Sequence, residues 1–247
     1  MLELKNVSLS FSNQKMVLHQ LSLQVNDGEF VAIVGRSGAG KTTLLKLFNG
    51  MAVPQQGSVW VDGQCLSECS GDSLRKLQQK IAVIYQEFCL VQESTVLQNV
   101  LNGALYRHSL WRVLTGCFPA EETERAREAL RQVGLTDKAE ATVATLSGGE
   151  KQRTAIARAL MQQAHIILAD EPAASLDPVT ADRVLFLLKR LQQERNLTVV
   201  MNSHNIQQAR QYAERIVGVR QGYIVKDAPS SAWSDADFAS VYGVRDE

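Results

Sequence analysis

The chain has 247 residues, of which 26 are basic and 26 are acidic, so its formal net charge at pH 7 is zero. This balance argues against a nucleic-acid-binding domain, because such domains usually carry an excess of basic side chains. A hydrophobic content of 45% and a charged content of 21% are typical of a folded globular protein, which at this length can bury a core without disulfide bonds.

The longest apolar runs, at 30–34 and 166–169, have the length of strands and not of a membrane helix. The first residues, MLELKNVSLSF, lack the basic start and the apolar block of a signal peptide. We therefore expect a protein that does not span a membrane by itself. We also expect its four cysteines to be reduced thiols in the cytosol.

The order of apolar runs, glycine turns and helical spacings predicts an α/β protein. Strands are predicted at 2–11, 21–25, 30–34, 57–63, 81–85, 166–170 and 198–202, with two more between 216 and 225. Helices are predicted at 41–48, 73–80, 178–195 and 206–213. Between 94 and 163 strand signals nearly vanish, and the segments 120–133 and 150–161 indicate a helical insert. The residues from Ser230 onward are expected to form a polar tail.

Residues 35–42 read GRSGAGKT and fit the pattern G-x-x-x-x-G-K-[ST] between a buried strand and a helix. In this pattern the glycines let backbone amides surround phosphate groups at a helix start. Lys41 is expected to contact the β- and γ-phosphates, and Thr42 to place its hydroxyl on Mg²⁺. An ordinary tight turn is the alternative, which the strand–loop–helix context disfavours. The residues expected to bind nucleotide here are Gly35, Arg36, Ser37, Gly38, Ala39, Gly40, Lys41, Thr42 and Thr43.

Two carboxylates, Asp170 and Glu171, follow the apolar strand predicted at 166–170. Ligands bind at the carboxyl ends of parallel strands, and two adjacent acids are costly unless they share a cation or a proton. We assign Asp170 to the Mg²⁺ shell and Glu171 to the attacking water, as its general base or its orienter. An acid pair at a helix start is the alternative, and it loses weight beside the phosphate loop.

The sequence LSGGE at 146–150 precedes a predicted helix. A serine and two glycines at a helix start form a second anion-binding surface, although such a stretch taken alone is more often a plain capping turn. Six motifs follow one another in the chain: the loop at 35–42, Gln86 after a strand, LSGGE, ILADE at 167–171, ASLD at 174–177, and His204 after a strand. This order resembles the nucleotide-binding subunit of an ATP-binding cassette (ABC) transporter.

The resemblance covers residues 2–226 and implies a RecA-like P-loop NTPase core, an antiparallel β-subdomain and an inserted α-helical subdomain. The core and the β-subdomain would occupy 1–90 and 164–229. The helical subdomain would occupy 91–163, and 230–247 would be a short tail. The resemblance also implies ATP and Mg²⁺ as cofactors.

Four further roles are implied residue by residue. Phe11 is placed like the aromatic that stacks on adenine, with a core phenylalanine on a strand as the alternative. Gln86 is placed like the glutamine that approaches Mg²⁺ and the attacking water. His204 resembles the switch histidine that contacts the γ-phosphate, with a structural histidine as the alternative. Asp177 resembles the aspartate that crosses to the other subunit.

In the family, Ser147, Gly148 and Gly149 would cap the γ-phosphate held by the loop of a second subunit. Two ATP molecules would then close a head-to-tail dimer of two copies, or of one copy and a homologous partner. Glu150 stands where the family more often has glutamine. We expect its carboxylate to turn away from the triphosphate, because it suits a helix start and not a neighbouring anion.

The segment 106–119 is rich in aromatic and basic residues and lies where the family's helical subdomain receives the transmembrane subunits. It is either a groove for a partner helix or a loop in which Trp111 and Phe118 close the core. Cys65 and Cys69 have a C-x₃-C spacing, but no second pair completes a metal site.

Three segments, 111–119, 121–135 and 159–163, resemble the ATPases of phosphonate importers and their phosphite or hypophosphite relatives. The resemblance implies an ATPase that energises uptake of phosphonate or a related phosphorus oxyanion, phosphate included. It would lie peripherally on the cytoplasmic face of the membrane, bound to permease subunits, with an extracytoplasmic binding protein as an indirect partner and no nucleic acid. A soluble ABC ATPase that remodels a protein or nucleic-acid complex is the alternative. A nucleotide sensor would require a broken catalytic set.

Overall fold

The computed structural model describes residues 1–10, 16–108 and 118–243. The strands are β1 Leu2–Ser10, β2 Met16–Val25, β3 Phe30–Val34, β4 Gln56–Val61, β5 Gln64–Cys65, β6 Ile81–Ile84, β7 Ile166–Asp170, β8 Thr198–Ser203, β9 Arg215–Arg220 and β10 Tyr223–Pro229. The helices are α1 Lys41–Phe48, α2 Gly71–Gln79, α3 Val96–Leu101, α4 Ala120–Gln132, α5 Gly148–Met161, α6 Pro178–Arg195, α7 Ile206–Tyr212 and α8 Asp235–Tyr242.

The larger sheet has six strands in the order β10-β9-β3-β8-β7-β6. Every neighbouring pair from β9 to β6 is parallel, and only β10 pairs antiparallel with its neighbour β9. The carboxyl ends of β3, β6, β7 and β8 therefore lie along one edge of the sheet. The loops that leave this edge contain the phosphate loop, Gln86, Asp170 with Glu171, and His204.

Side chains that alternate along the strands of this sheet enter two different cores. Along β3, Val31 and Ile33 pack with the leucines of the smaller antiparallel sheet β2-β1-β4-β5. Ala32 and Val34 pack on the opposite face, with the helices α3 to α8. All five residues of β3 are buried, as expected for a strand that is covered on both faces.

The chain between β6 and β7 is helical in its described residues, with α3, α4, α5 and short 3₁₀ turns. One isolated bridge, between Thr95 and Thr142, is the sole strand-like pairing described there. This agrees with the predicted helical insert, while the exact subdomain limits remain a prediction. Among the described residues no helix is both long and apolar enough to cross a bilayer.

Two segments differ from the expectation. The second strand begins at Met16 and not at residue 21, so β2 pairs along most of β1. The segment expected to be a polar tail instead contains a 3₁₀ turn at Ser230–Ala232 and the helix α8. Trp233, Phe238 and Val241 are buried in the core, which explains why this segment folds onto the domain.

Candidate active site

The loop between β3 and α1 has a backbone path that requires glycine. Gly40 lies at φ 106°, where a side chain is strained, and a Cβ there would come within 2.6 Å of Leu18 Cδ2. A Cβ at Gly35 would overlap the carbonyl oxygen of Val219. The loop therefore lies tightly against the strands on both sides and leads into the start of α1, where helix amides can bind an anion.

Lys41 directs its ammonium group back over this loop. The Lys41 Nζ donates to the carbonyl oxygens of Gly35 at 2.8 Å and Arg36 at 3.3 Å, and it lies 3.7 Å from Glu171 Oε1. Lys41 is buried, and a buried cation needs compensating partners. An anionic phosphate in the loop would compensate the charge of the Lys41 ammonium group, so the residues present fit a nucleoside triphosphate.

Thr42 and Asp170 are brought together at the edge of the sheet. The Thr42 hydroxyl donates to Asp170 Oδ1 at 3.2 Å, and the Asn202 amide donates to the same oxygen at 2.7 Å. A hydroxyl and a carboxylate are hard oxygen donors of the kind Mg²⁺ prefers. Asn202 was not predicted as a site residue. Its signal is the first polar side chain after the apolar run 199–201, at the register position that pairs directly with Asp170.

Glu171 and His204 form a second contact beside the loop. His204 Nδ1 lies 3.0 Å from Glu171 Oε2, while the other Glu171 oxygen faces Lys41. Glu171 has φ 48°, a conformation that non-glycine residues adopt rarely and that is often found at functional sites. The carboxylate is thus held between a cation and an imidazole, and His204 is about half exposed on the ligand side.

Gln86 follows β6, one strand away from Asp170, and its side chain is exposed. Within the described parts of the chain it forms no hydrogen bond to the other site residues. The loop is fixed two residues later, where the Arg158 guanidinium of α5 donates to the carbonyl oxygens of Phe88 and Cys89. Phe11, predicted to stack on adenine, lies outside the described residues.

Ser147 begins α5 through a capping box. Its hydroxyl and its backbone N–H both donate to Glu150 Oε2 at 2.8 Å, and the Glu150 N–H donates to the Ser147 hydroxyl at 3.3 Å. These bonds, the backbone one first, hold the pKa of the Glu150 carboxyl below its usual value. The Glu150 carboxylate thus binds the start of its own helix.

The two glycines of LSGGE have a packing role that the sequence did not reveal. A Cβ at Gly149 would overlap Thr180 Cγ2, and a Cβ at Gly148 would lie 3.0 Å from Leu176 Cδ2. The start of α5 therefore packs directly against the turn into α6. Asp177 caps α6 by accepting from the Thr180 N–H at 3.0 Å, which confirms the predicted helix start.

Comparison with known proteins identifies this arrangement. A family model described as ABC transporter matches residues 18–174. The chain belongs to the ABC transporter family. The resemblance drawn from the six motifs is therefore confirmed, and so is the α/β fold class with a RecA-like P-loop core.

The ABC ATPase has relatives along nearly its whole length. The phosphonates import ATP-binding protein PhnC of Shouchella clausii is 44% identical over 243 residues, which cover 98% of this chain and 91% of that protein. The protein of the same name from Staphylococcus aureus is 41% identical over 242 residues, covering 98% and 94%.

Solved ABC cassettes have the same fold. The dimeric structure of MJ0796, a bacterial ABC transporter cassette, matches with a TM-score of 0.82 and 34% identity over 94% of this chain and 100% of that one. A second MJ0796 dimer, at TM-score 0.81, is bound to ADP and Pi. The protein cbiO1 of Clostridium perfringens, part of the complex cbiONQ, matches with a TM-score of 0.84 and 25% identity over 97% and 92%.

Proposed function

We propose that this ABC ATPase is the ATP-hydrolysing subunit of an importer for phosphonate or a related phosphorus oxyanion such as phosphite, hypophosphite or phosphate. The observation that carries hydrolysis is the contact series from Lys41 through Glu171 to His204, beside a phosphate loop. The substrate class rests on the import proteins that are 41–44% identical over almost the entire chain. These relatives do not favour the alternative of a soluble remodelling ATPase.

Lys41 and the amides of the loop would bind the β- and γ-phosphates of ATP. Thr42 and Asp170, with Gln86 approaching from β6, would hold Mg²⁺, which when bound neutralises charge that develops on the transferred phosphoryl group. Asn202 orients Asp170 through its amide, so the carboxylate keeps one direction before the ion arrives.

Glu171 would orient the attacking water or accept its proton, since its carboxylate is the acid nearest the loop cation. The His204 ring, 3.0 Å from that carboxylate, would hold it in place and reach the γ-phosphate from the opposite side. Because Lys41 occupies one oxygen of Glu171, the entry of a phosphate that draws the lysine away would free that oxygen for water.

A second copy would complete each site. Ser147, Gly148 and Gly149 would meet the γ-phosphate bound by the partner, and Asp177 would contact the partner near the same place. The packing of Gly149 on Thr180 supports this arrangement. It joins the LSGGE segment at 146–150, called the signature below, and the turn at Asp177 into one surface. Phe11 of the first copy would stack on adenine.

The permease would dock on a groove of about 690 Å³ that lies between α2 with β6 on one side and the helical insert on the other. The groove is lined by Arg75, Tyr85, Tyr106 and Arg158, and a partly exposed tyrosine beside arginines has the composition of a protein interface. Phe118 packs against the core and edge-on to His108, which supports the structural alternative for that residue. Trp111 lies outside the described residues.

The ATPase would therefore work on the cytoplasmic face of the membrane through its permease. The oxyanion would contact the permease and an extracytoplasmic binding protein, and not this chain. Nucleic acid is not a proposed partner, in keeping with the zero net charge.

The substitution Glu171→Gln tests this assignment. We expect ATP turnover to fall by about 10²-fold or more while Mg-ATP still binds, because the water loses its base and the phosphate cradle remains. Glu194→Gln, which removes an exposed carboxylate on α6, is the control and should leave turnover unchanged. Turnover near the normal rate in the Glu171 variant would refute the role of this residue.

The same variant tests the assembly. Loaded with Mg-ATP, it should elute as a dimer in size exclusion, and from gently solubilised native cells it should co-purify with a polytopic membrane protein. The corresponding complex with the wild-type chain should hydrolyse ATP faster when the binding protein and a phosphonate are added. Co-purification with soluble proteins alone would instead favour the remodelling ATPase.

A further inference from the structure

Helix α8 is fixed against β9 by close apolar packing. Trp233 and Val241 are buried, and Gly218 of β9 allows both to approach, because a Cβ there would lie 2.6 Å from Trp233 Cη2 and 2.7 Å from Val241 Cγ2. The Trp233 indole N–H donates to the Ile216 carbonyl at 3.2 Å. The last residue of the helix, Tyr242, therefore has a defined position over the sheet.

Polar contacts hold both ends of this C-terminal segment. Arg210 of α7 donates to the Trp233 carbonyl at 2.9 Å and pairs with Asp235 at 2.8 Å. Arg220 of β9 donates to the Ser240 carbonyl at 2.9 Å, where a cation also suits the negative end of the helix. Fixing α8 at both ends limits the movement of its final side chain.

The Tyr242 hydroxyl lies between two motifs of the active site. It donates to the His204 carbonyl oxygen at 3.1 Å and lies near the Gly35 backbone. Burial raises the pKa of Tyr242, the Glu171 charge raises it further and the Gly35 contact opposes both, so the phenol stays a neutral donor at physiological pH. Gly35 follows β3 and His204 follows the adjacent β8, so the hydroxyl lies beside both loops and is bonded to the one that carries His204.

We propose that Tyr242 is a positioning residue for ATP hydrolysis: its hydroxyl fixes the main chain of His204 to the anchored helix α8, so that the His204 ring meets Glu171. The inference rests on the proposed ATPase function. It assigns to the segment after β10 a role in the reaction and not only in the core. Tyr242 would act through the backbone at His204, to which its hydroxyl is bonded.

The test is Tyr242→Phe, which keeps the ring and its packing and removes the hydroxyl. We expect kcat for ATP to fall about 3- to 10-fold, the range that one net hydrogen bond supports, with KM for ATP changed less than about 2-fold. Tyr212→Phe is the matched control: its hydroxyl is bonded to Asp182 and not to the backbone of His204. An unchanged kcat in the Tyr242 variant, or an equal loss in the Tyr212 variant, would overturn the proposal.

A measurement without nucleotide separates this proposal from the ATPase assignment. The four histidines give ring ¹H–¹⁵N signals, and His204→Gln identifies the one that belongs to His204. We expect Tyr242→Phe to shift the ring-nitrogen signals of His204 and Tyr212→Phe to leave them in place. An unshifted His204 signal would refute the positioning role even if the enzyme hydrolyses ATP. A wild-type protein without ATPase activity would refute the function while the shift remained.

Discussion

The phosphate-loop region and the signature region satisfy their polar groups in different ways. At the phosphate loop, side chains from α1, β7 and the loop after β8 contact one another: Lys41 with Glu171, Glu171 with His204, and Thr42 with Asp170. At the signature, Ser147 and Glu150 bond to each other within one turn of α5.

This difference separates contacts between distant segments of the chain from contacts within one helical turn. The loop region assembles groups distant in sequence, which only the tertiary fold brings together. The signature region presents a capped helix start with its glycines packed on α6, and its described residues bring no catalytic side chain to it. The capping box satisfies backbone N–H groups at this helix start within one chain. No buried polar group at the cap is therefore left unpaired when no anion from another chain is bound.

Among the substitutions that test this comparison, the largest expected effect comes from removing the loop cation Lys41. Lys41→Ala should weaken ATP binding by about 10- to 100-fold, because hydrogen bonds to a charged group contribute about 1.5–3 kcal/mol. Fluorescent ATP titration would measure it. Lys46→Ala, on the exposed side of the same helix, should bind ATP normally. Equal ATP affinities in the Lys41 and Lys46 variants would contradict the role of Lys41 as a phosphate-binding cation.

The next effect tests the packing of the signature glycines. Alanine normally stabilises a helix relative to glycine, but Gly149→Ala should lower the free energy of unfolding by about 1–3 kcal/mol because its Cβ overlaps Thr180 Cγ2. Urea unfolding measures the change. Adding Thr180→Ser, which deletes that methyl group, should recover most of the loss. A stabilised single variant would show that α5 and α6 separate easily here.

The smallest effects concern the cap itself. Ser147→Ala should cost about 1 kcal/mol of stability, whereas Glu150→Gln keeps an acceptor and should cost about 0.5 kcal/mol.

Because the folded pKa of Glu150 is lowered, its contribution to stability is present above the unfolded pKa near 4.3 and is lost as pH falls through the folded pKa. The gap between the unfolding midpoints of wild type and Glu150→Gln should therefore stay constant from pH 7 to about pH 5 and close as the pH falls below about 4. A constant gap would exclude a charge effect.

Much of the fold follows from local patterns. The buried run Phe30–Val34, the glycine loop and the start of α6 at Asp177 and Pro178 each have a local physical cause, and the structure shows each where predicted. The helix α8 was missed because the segment after Ser230 is polar on average. Its signals were the capping box of Ser234 with Asp237 and the apolar positions 233, 238 and 241.

The motifs name candidate site residues but not their geometry, and they do not include Asn202 or Tyr242. The contact of His204 with Glu171, the amide of Asn202 on Asp170 and the hydroxyl of Tyr242 each join segments 32 or more residues apart. Motif spacing does not encode such long-range contacts. The same holds for Gly149, whose requirement for glycine comes from Thr180 on another helix.

Arg158 has a mechanical consequence. Its guanidinium extends from the helix that begins at Ser147 to the backbone that follows Gln86, where Phe88 and Cys89 both have positive φ. The helix cannot rotate alone: it must either pull the glutamine's loop with it or break two charge-assisted hydrogen bonds. Arg158 thus couples the position of α5 to the backbone that follows β6, the strand that neighbours β7 and Asp170.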